Sequence, residues 1–289
     1  MEKKLKSLEE YTSLIKEYRT LCRRPFSNIY FMPDVIKRYI RLQRVSYEKR
    51  AYGLVFYFNE ESYYRVCLYV DENQMFEIPL RNKKLLIRLL YSTRQKDARL
   101  ESVEKHLKTL GFECKDTFVQ TRSHPKEQIS KFRNVEKFSR SMEKRGYHCI
   151  YPDFSRFREI ENILIESDFI YDYQIDYKTD EEKRALQPGT YMCVVNRNNE
   201  ICAASTMNIS ISSSSCYDGI VVVKEKYKMH GIAPFLANQR MKWLCDMNIN
   251  NIYGQISIYN EQSLNYHKSL GVHFLDRYYD EFVLDKCNN

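Results

Sequence analysis

Residues 220–236 read Ile-Val-Val-Val-Lys-Glu-Lys-Tyr-Lys-Met-His-Gly-Ile-Ala-Pro-Phe-Leu, and this stretch decides the fold. Its first four residues form an apolar, largely β-branched run, which is typical of a strand buried on both faces. From Pro234 onward the apolar residues recur at helical spacing as far as Leu244, and proline suits the first turn of a helix. Gly231, one of only eight glycines, therefore lies between a predicted strand and a predicted helix.

The loop between this strand and this helix has the chemistry of an anion site. Successive backbone N–H groups of such a loop and of the following helical turn converge on one point, and the helix dipole adds positive potential. Gly231 and Ala233 carry no bulky side chain, so a phosphate group can approach the backbone closely. A pyrophosphate fits this arrangement, and an ordinary strand-to-helix turn is the alternative when the loop is considered alone.

This loop resembles the pyrophosphate loop R/Q-x-x-G-x-G/A of the GNAT acyltransferase superfamily. The matching residues are Lys228, Gly231 and Ala233, with lysine where arginine or glutamine is usual. The loop also lies between the strand and the helix that this resemblance requires. The glycine motifs of P-loop proteins and of dinucleotide-binding folds are absent from the sequence.

A second segment downstream resembles the family's N-x-x-A-x-x-x-Y-x-x-x-G-F motif. It is matched at Asn260, at the small residue Ser263, and at Leu270-Gly271. Two motifs in the expected order favour a GNAT fold over residues 146–285. The chain is thus predicted to be a mixed α/β protein whose C-terminal half has the GNAT acyltransferase fold.

The resemblance implies acetyl-CoA as co-substrate and an amine as acceptor. The pyrophosphate would bind backbone amides of the loop, and the pantetheine arm would run between the strands near residues 220–223 and 255–259. The helix that follows the second strand would face the same arm. The residues implied for this binding are Val221, Val222, Val223, Lys228, Met229, His230, Gly231, Ile232, Ala233, Asn260 and Ser263.

The acid that protonates the departing thiolate is where the sequence differs from the family. The usual tyrosine, four residues before the glycine, is His267 here, and Tyr266 precedes it. Ser263 and His267 share one helical face, whereas Tyr266 is turned by about 100°. Position favours His267, and Tyr266 stays as the alternative because a helix boundary can shift by a residue. The family often uses a carboxylate on the strand before the loop as general base, and here Tyr217 and Asp218 lie near that position. Asp218 is the better base of the two, and it also fits a turn residue.

The two halves of the 289-residue chain differ in charge. Residues 1–150 carry 32 Lys and Arg against 19 Asp and Glu, a net charge of +13, and residues 151–289 carry 14 against 19, a net charge of −5. We expect a basic N-terminal α+β domain over residues 1–145 and a GNAT acetyltransferase domain over residues 146–289. Basic and acidic residues mix along helical segments, so a solvated surface is favoured over a nucleic-acid site.

The sequence of the first half predicts helices, a hairpin and further elements. It contains no equivalent of the phosphate loop. Its spacing predicts a helix over residues 7–21, a helix opening at Pro33-Asp34 and a hairpin of residues 54–58 with 63–70. A strand over residues 75–80 and helices over 85–90 and 100–110 complete it. This half is either a degenerate GNAT-like copy that shapes the acceptor site or an unrelated α+β domain.

Several classes of protein are not supported by the sequence. The nine cysteines show no C-x-x-C pair and the six histidines no H-x-x-x-H pair, so we expect no metal site. The apolar runs are far shorter than the roughly 18 residues of a membrane span, and no signal-peptide core is present. We therefore expect a cytoplasmic protein with no membrane partner.

The main hypothesis from the sequence is an acetyl-CoA-dependent N-acetyltransferase. The alternative is a non-catalytic or aminoacyl-tRNA-linked tandem GNAT-like protein that binds RNA or a partner through its basic half. If the topology holds, the serine loop 212–215 and the acidic stretch 168–180 border the acceptor side. The sequence leaves the acceptor and the oligomeric state open.

Overall fold

The computed structural model describes residues 2–22, 25–29, 33–60, 62–71, 76–93, 98–132, 134–166, 189–211 and 213–285. The chain forms two compact units. Unit 1 comprises residues 1–118 and 276–289, and unit 2 comprises residues 119–275. These units differ from the predicted domains because two strands, Glu113–Ser123 and His273–Leu284, each contribute residues to both units.

Unit 1 is built around a sheet with helices that begin where the sequence patterns predict. Its helices are α1 (Leu8–Leu21), α2 (Pro33–Arg41) and α3 (Ala98–Thr109). Its strands are β1 (Glu2–Lys4), β2 (Pro25–Ser27), β3 (Val45–Arg50), β4 (Gly53–Asn59), β5 (Tyr63–Asp71), β6 (Lys84–Tyr91), and parts of β7 (Glu113–Ser123) and β13 (His273–Leu284). The strand order is β1-β3-β4-β5-β6-β13-β7, with β2 on β5. The predicted hairpin is the antiparallel pair β4 and β5.

Two predictions for unit 1 are wrong. Residues 85–90, predicted as helix, lie in β6, which pairs with β5 on one side and with β13 on the other. Leucine favours helices in isolation, but pairing with two buried neighbours overrides that preference. Within the predicted strand 75–80, the described residues 76–80 belong to no strand.

Unit 2 contains the segment that resembles the GNAT motifs. Its helices are α4 (Pro125–Lys131), α5 (Val135–Lys144), α6 (Phe157–Ile165), α7 (Ile232–Asp246) and α8 (Glu261–Ser269). Besides the second half of β7, its strands include β8 (His148–Ile150), β9 (Tyr191–Val195), β10 (Ile201–Ser210), β11 (Ser215–Val223) and β12 (Asn251–Ser257). The strand order is β7-β12-β11-β10-β9-β8.

The sheet of unit 2 is covered on both faces, because alternate residues of its strands enter two different cores. Met192 and Val194 of β9 pack in the core that includes α7, and Tyr191 and Cys193 pack in the core that includes α6. This alternation follows from the two-residue period of a strand. Helix α7 and helix α6 therefore lie on opposite faces.

Other predictions for the second half differ from the structure in detail. Helix α7 begins at Ile232 instead of Pro234. Pro234 still lies in the first turn of the helix, where a residue without an N–H group loses no helical hydrogen bond. Helices α4 and α5 precede the predicted domain boundary at residue 145. The acidic stretch 168–180 lies outside the described residues. No described helix combines the length and apolarity that crossing a bilayer requires.

Candidate functional site

Strands β11 and β12 run parallel, pair briefly and then separate. Their register joins Ser215 to Asn251, Cys216 to Ile252 and Tyr217 to Tyr253. Beyond the Tyr217 pair the two strands share no register, although β11 continues to Val223. A gap therefore opens between the carboxyl halves of two neighbouring strands, with one backbone edge of each strand left unpaired by the other.

A β-bulge bends β11 at the point where this gap opens. The register between β10 and β11 shifts between Ser205 and Met207, opposite Gly219 and Ile220. A Cβ atom at Gly219 would overlap the side chain and carbonyl of Thr206, so only glycine fits there. The Ile220 N–H donates to Thr206 Oγ1 at 3.2 Å. Such bulges bend a strand and re-aim its side chains.

The bulge also corrects the prediction that residues 220–223 are buried on both faces. Val221 is 42% exposed, and its neighbours Ile220, Val222 and Val223 are only partly buried. Ile220 and Val222 pack against the core of α6, whereas Val223 packs against the core of α7. The apolar run therefore lies beside an open gap instead of inside a closed sheet.

The loop after β11 presents backbone N–H groups at the start of α7. Met229 and Gly231 have positive φ values of 63° and 80°, and Gly231 is the N-cap of α7. Within the described part of the chain, the N–H groups of residues 229–233 donate to no carbonyl oxygen outside helix α7. An unpartnered run of N–H groups at a helix N-terminus is suited to an anion. Met229 is 97% exposed, so the loop is accessible.

Glu200, which the sequence analysis missed, anchors this loop. Its carboxylate accepts a hydrogen bond from Tyr227 Oη at 2.6 Å and pairs with Lys226 Nζ at 2.7 Å. Asn196 Nδ2 donates to the same tyrosine oxygen at 2.8 Å. The hydrogen bonds from Lys226 and Tyr227 lower the pKa of Glu200 to about 2. In the sequence, Glu200 is simply an acidic residue between β9 and β10. No local pattern indicates that it contacts a loop 25 residues later.

Helix α5 supports the other side of the loop. Arg145, at its C-terminal end, donates from Nη1 to the carbonyl oxygen of His230 at 3.1 Å. The ring of His230 lies 3.2 Å from Tyr147 Oη through Nδ1. Phe138 and Met142 lie next to Gly231. His230 is thus fixed by contacts from the preceding segment, whereas its backbone N–H stays unused within the described residues.

Helix α8 begins at the carboxyl end of β12, on the same sheet edge as the loop, because β11 and β12 are parallel. Asn260 is its N-cap, and the Asn260 side chain accepts from the Ser263 N–H at 2.9 Å. The predicted cofactor residues of both motifs therefore meet at one edge of the sheet. Lys228 forms an ion pair with Glu225 in the same loop.

Tyr266 and His267 have different surroundings. Nδ1 of His267 lies 2.8 Å from the carbonyl oxygen of Ser263, so the ring is bonded to its own helix. The hydroxyl of Tyr266 is buried and has no hydrogen-bond partner among the residues that the structure describes. Burial raises the pKa of Tyr266 to about 12, with the charges of Arg240 and Asp218 acting in opposite directions. This hydroxyl keeps its proton at neutral pH and has it available to donate.

Asp218 is the first residue of β11 beyond the three that pair with β12. It forms an ion pair with Arg240 of α7. Arg240 is 3% exposed. A buried guanidinium requires a partner, because an uncompensated charge in the interior is costly. The Asp218 carboxylate, which the sequence suggests as general base, thus compensates the buried charge of Arg240 in the structure.

The described residues contain no group of three or more His, Cys, Asp or Glu side chains that could hold a metal ion. Eight of the cysteines are described, and all eight are free thiols.

The sequence matches no known family model and no curated protein, but the fold matches solved structures. A tandem GNAT protein from the clavulanic acid biosynthesis pathway superimposes with a TM-score of 0.54 over 99% of this chain and 98% of that chain, at 9% identity. A GCN5-related N-acetyltransferase from Sphaerobacter thermophilus gives a TM-score of 0.54 over 99% and 95%, at 10% identity.

A third similar structure is a GCN5-related glucosamine N-acetyltransferase region of a fungal multi-domain GH3 beta-N-acetylglucosaminidase. It has a TM-score of 0.61 and 10% identity, and it matches 98% of this chain and 38% of that chain. At such identities the similarity establishes the fold alone. The chain has the GNAT fold, as its two motifs predict.

Proposed function

We propose that this protein is an N-acyltransferase that moves an acetyl group from acetyl-CoA to an amine. The observation that carries the proposal is the combination in unit 2 of an open gap between β11 and β12 with a loop of unpartnered N–H groups at the N-terminus of α7. A gap and an anion site at one sheet edge suit a ligand with a pyrophosphate and a narrow arm.

The chain's own groups fit such a ligand. The N–H groups of residues 229–233 would hold the pyrophosphate, since Gly231 adds no side chain and Met229 points into solvent. The unpaired edge of β11 at residues 221–223 would bond the amides of the pantetheine arm, because a strand edge offers alternating donors and acceptors. Acetyl-CoA supplies an activated acyl group, and the protein supplies position.

Tyr266 is the side chain we assign to protonate the departing thiolate. Its hydroxyl is buried, free of hydrogen bonds and next to the charges of Asp218 and Arg240, where β11 leaves the paired part of the sheet. His267, which the sequence favours as the proton donor, instead has its Nδ1 in contact with the Ser263 carbonyl oxygen. A base role for Asp218 would require its release from Arg240.

The test compares two variants of one exposed residue. Met229→Asp and Met229→Asn have nearly the same shape, and both Asp and Asn tolerate the positive φ of this position. Only the aspartate places a negative charge beside the proposed pyrophosphate site. We expect titration calorimetry to show roughly tenfold weaker CoA binding for the aspartate, about 1.4 kcal/mol, and wild-type binding for the asparagine. A folded wild-type chain that binds no acyl-CoA would overturn the proposal.

A further inference from the structure

Two exposed tyrosines lie at the closed end of the gap in unit 2, where β11 and β12 still pair. Tyr217 and Tyr253 form the last register pair before the strands separate. Their neighbours Cys216 and Ile252 enter the core that includes α7, so the tyrosine side chains lie on the opposite face of the sheet. Helix α6 packs on that face over β9, β10 and the far end of β11, and it leaves the two tyrosines 39% and 38% exposed. We refer to the surface around this pair as the tyrosine face.

Contacts from neighbouring strands hold both rings in place. The Tyr217 hydroxyl donates to Gln255 Oε1 at 2.5 Å, which links β11 to β12 across the start of the gap. Arg122 of β7, the strand next to β12, has its guanidinium carbon 5.9 Å from the centroid of the Tyr253 ring. The same guanidinium donates from Nη2 to Asn251 Oδ1 at 2.7 Å. The side chains of the tyrosine face are therefore positioned by contacts within the sheet.

The described strands around the tyrosine face supply one positive charge and no free acid. Arg122 is exposed and forms no ion pair within the described part of the chain. Strands β10 and β12 and residues 119–123 of β7 contain no Asp or Glu, and Asp218, the only acid of β11, is held in an ion pair. An exposed guanidinium beside two aromatic rings suits a ligand that has a flat ring and one acidic group.

The tyrosine face lies at the end of the gap toward which the proposed cofactor would point. With a pyrophosphate on residues 229–233, the pantetheine arm follows β11 away from the loop. Residues 218–223 of this strand span about 17 Å, and they lead to the last register pair. An acceptor that meets the thioester there has the tyrosine face beside it. This inference rests on the proposed function, because that function supplies the position of acetyl-CoA.

We propose that the acceptor is a small amine that carries an aromatic ring and one carboxylate, as an aromatic amino acid does. Its ring stacks on Tyr217 and Tyr253, and its carboxylate binds the guanidinium of Arg122. The neutral amine attacks the acetyl carbonyl carbon, so that the new N–C bond forms and the thioester C–S bond breaks. The amine proton passes to water, and the thiolate takes the proton of Tyr266, which water then restores.

The experiment compares three acceptors: L-phenylalanine, L-phenylalaninamide, which lacks the carboxylate, and L-alanine, which lacks the ring. The rate at which free CoA appears from acetyl-CoA gives kcat/KM for each of them. We expect the wild-type chain to prefer phenylalanine roughly tenfold over each of the other two, because each lacks one of the two recognised groups.

Two variants separate the recognition of the carboxylate from that of the ring. Arg122→Gln should remove the preference over phenylalaninamide and keep the preference over alanine. Tyr253→Leu should reduce the preference over alanine and keep the other, because Asn251 still holds Arg122. The matched controls are Arg140→Gln on α5 and Tyr151→Leu near Trp243 of α7, two exposed residues of unit 2 that should retain both preferences.

The outcomes separate this inference from the proposed function. A wild-type chain that binds CoA but acetylates none of the three compounds, or acetylates them equally, would overturn the assignment of the acceptor alone. Both preferences surviving in both variants would do the same. A chain that binds no CoA would overturn the proposed function and this inference with it. A thermal melt and the CoA affinity of each variant verify that the substitutions leave the fold and the cofactor site intact.

Discussion

Both units contain a pair of parallel strands that pair over three residues and then part, but only one pair leaves an open gap. In unit 2, β11 and β12 part after Tyr217 and Tyr253. In unit 1, β5 and β6 part after Arg65 and Leu86. There the protein's own chain occupies the edge, because β2 pairs with the end of β5.

Asn28 completes the closure of unit 1. Its side chain is 3% exposed and accepts from the Leu68 N–H at 2.6 Å, and its Nδ2 donates to the carbonyl oxygens of Val66 at 3.3 Å and Arg88 at 3.1 Å. The amide thus links β5 to β6 across the point where they separate. The backbone groups that a ligand would satisfy in unit 2 are satisfied in unit 1 by β2 and by the Asn28 side chain.

The loops that follow the two parallel strands differ as well. In unit 2, β11 leads through an N–H-rich loop into α7. In unit 1, the described residues 76–83 between β5 and β6 contain no helix. The comparison supports the proposal that unit 1 is a degenerate copy, in which the protein's own chain fills the place that the proposed ligand takes in unit 2.

The largest expected effect is that of removing the Asn28 side chain on the stability of the folded chain. Asn28→Ala leaves the Leu68 N–H and two carbonyl oxygens without their partner in a buried place. We expect the free energy of unfolding to fall by about 3 kcal/mol. Urea denaturation of the full chain measures this value. The exposed Asn208→Ala in unit 2 is the control and should change it by less than about 0.5 kcal/mol.

The second effect concerns the proton donor of unit 2. Tyr266→Phe removes only the buried hydroxyl, so we expect kcat to fall roughly 100-fold with little change in the KM for acetyl-CoA. His267→Gln is the matched control and should retain kcat, because its ring bonds the helix backbone. The reverse result would move the role to His267.

The pH profile gives an independent check on this assignment. A hydroxyl with a pKa of about 12 stays protonated through the accessible range, so kcat should show no alkaline decline from the acid below about pH 10. A decline of kcat within this range that disappears in His267→Gln would contradict the tyrosine.

A smaller effect is expected at the anchor of the loop. Glu200→Gln removes the charge that holds Lys226 and weakens the bond to Tyr227. CoA binding should weaken by roughly fivefold, because the loop must then be ordered by the ligand. Glu113→Gln, which changes an exposed acid of unit 1 that pairs with Lys115, is the control. Equal effects of the two variants would reject an anchoring role for Glu200.

The parts of this site that the sequence predicts are those with a local signature. A glycine between an apolar run and a helix predicts the loop at Gly231, because only backbone conformation and space matter there. Asn260 is likewise predicted by its place before a helix. Both signals arise within a few residues of the chain.

The parts that the sequence does not predict depend on distant partners. Residues 85–90 read as helix, and β6 forms because β13, nearly 200 residues later, pairs with it. Tyr266 lies off the face that spacing favours, and the burial of its hydroxyl is a property of the folded chain that no local pattern carries. Asn28 carries no motif at all, since its role is defined by three strand residues far along the chain.

The most direct test of the central claim is the number of CoA molecules bound per chain. Titration calorimetry of CoA into the 289-residue chain should give one site, because the gap of unit 2 is open and that of unit 1 is filled by β2 and Asn28. Two sites per chain, or a single site that survives in Met229→Asp with unchanged affinity, would contradict the account.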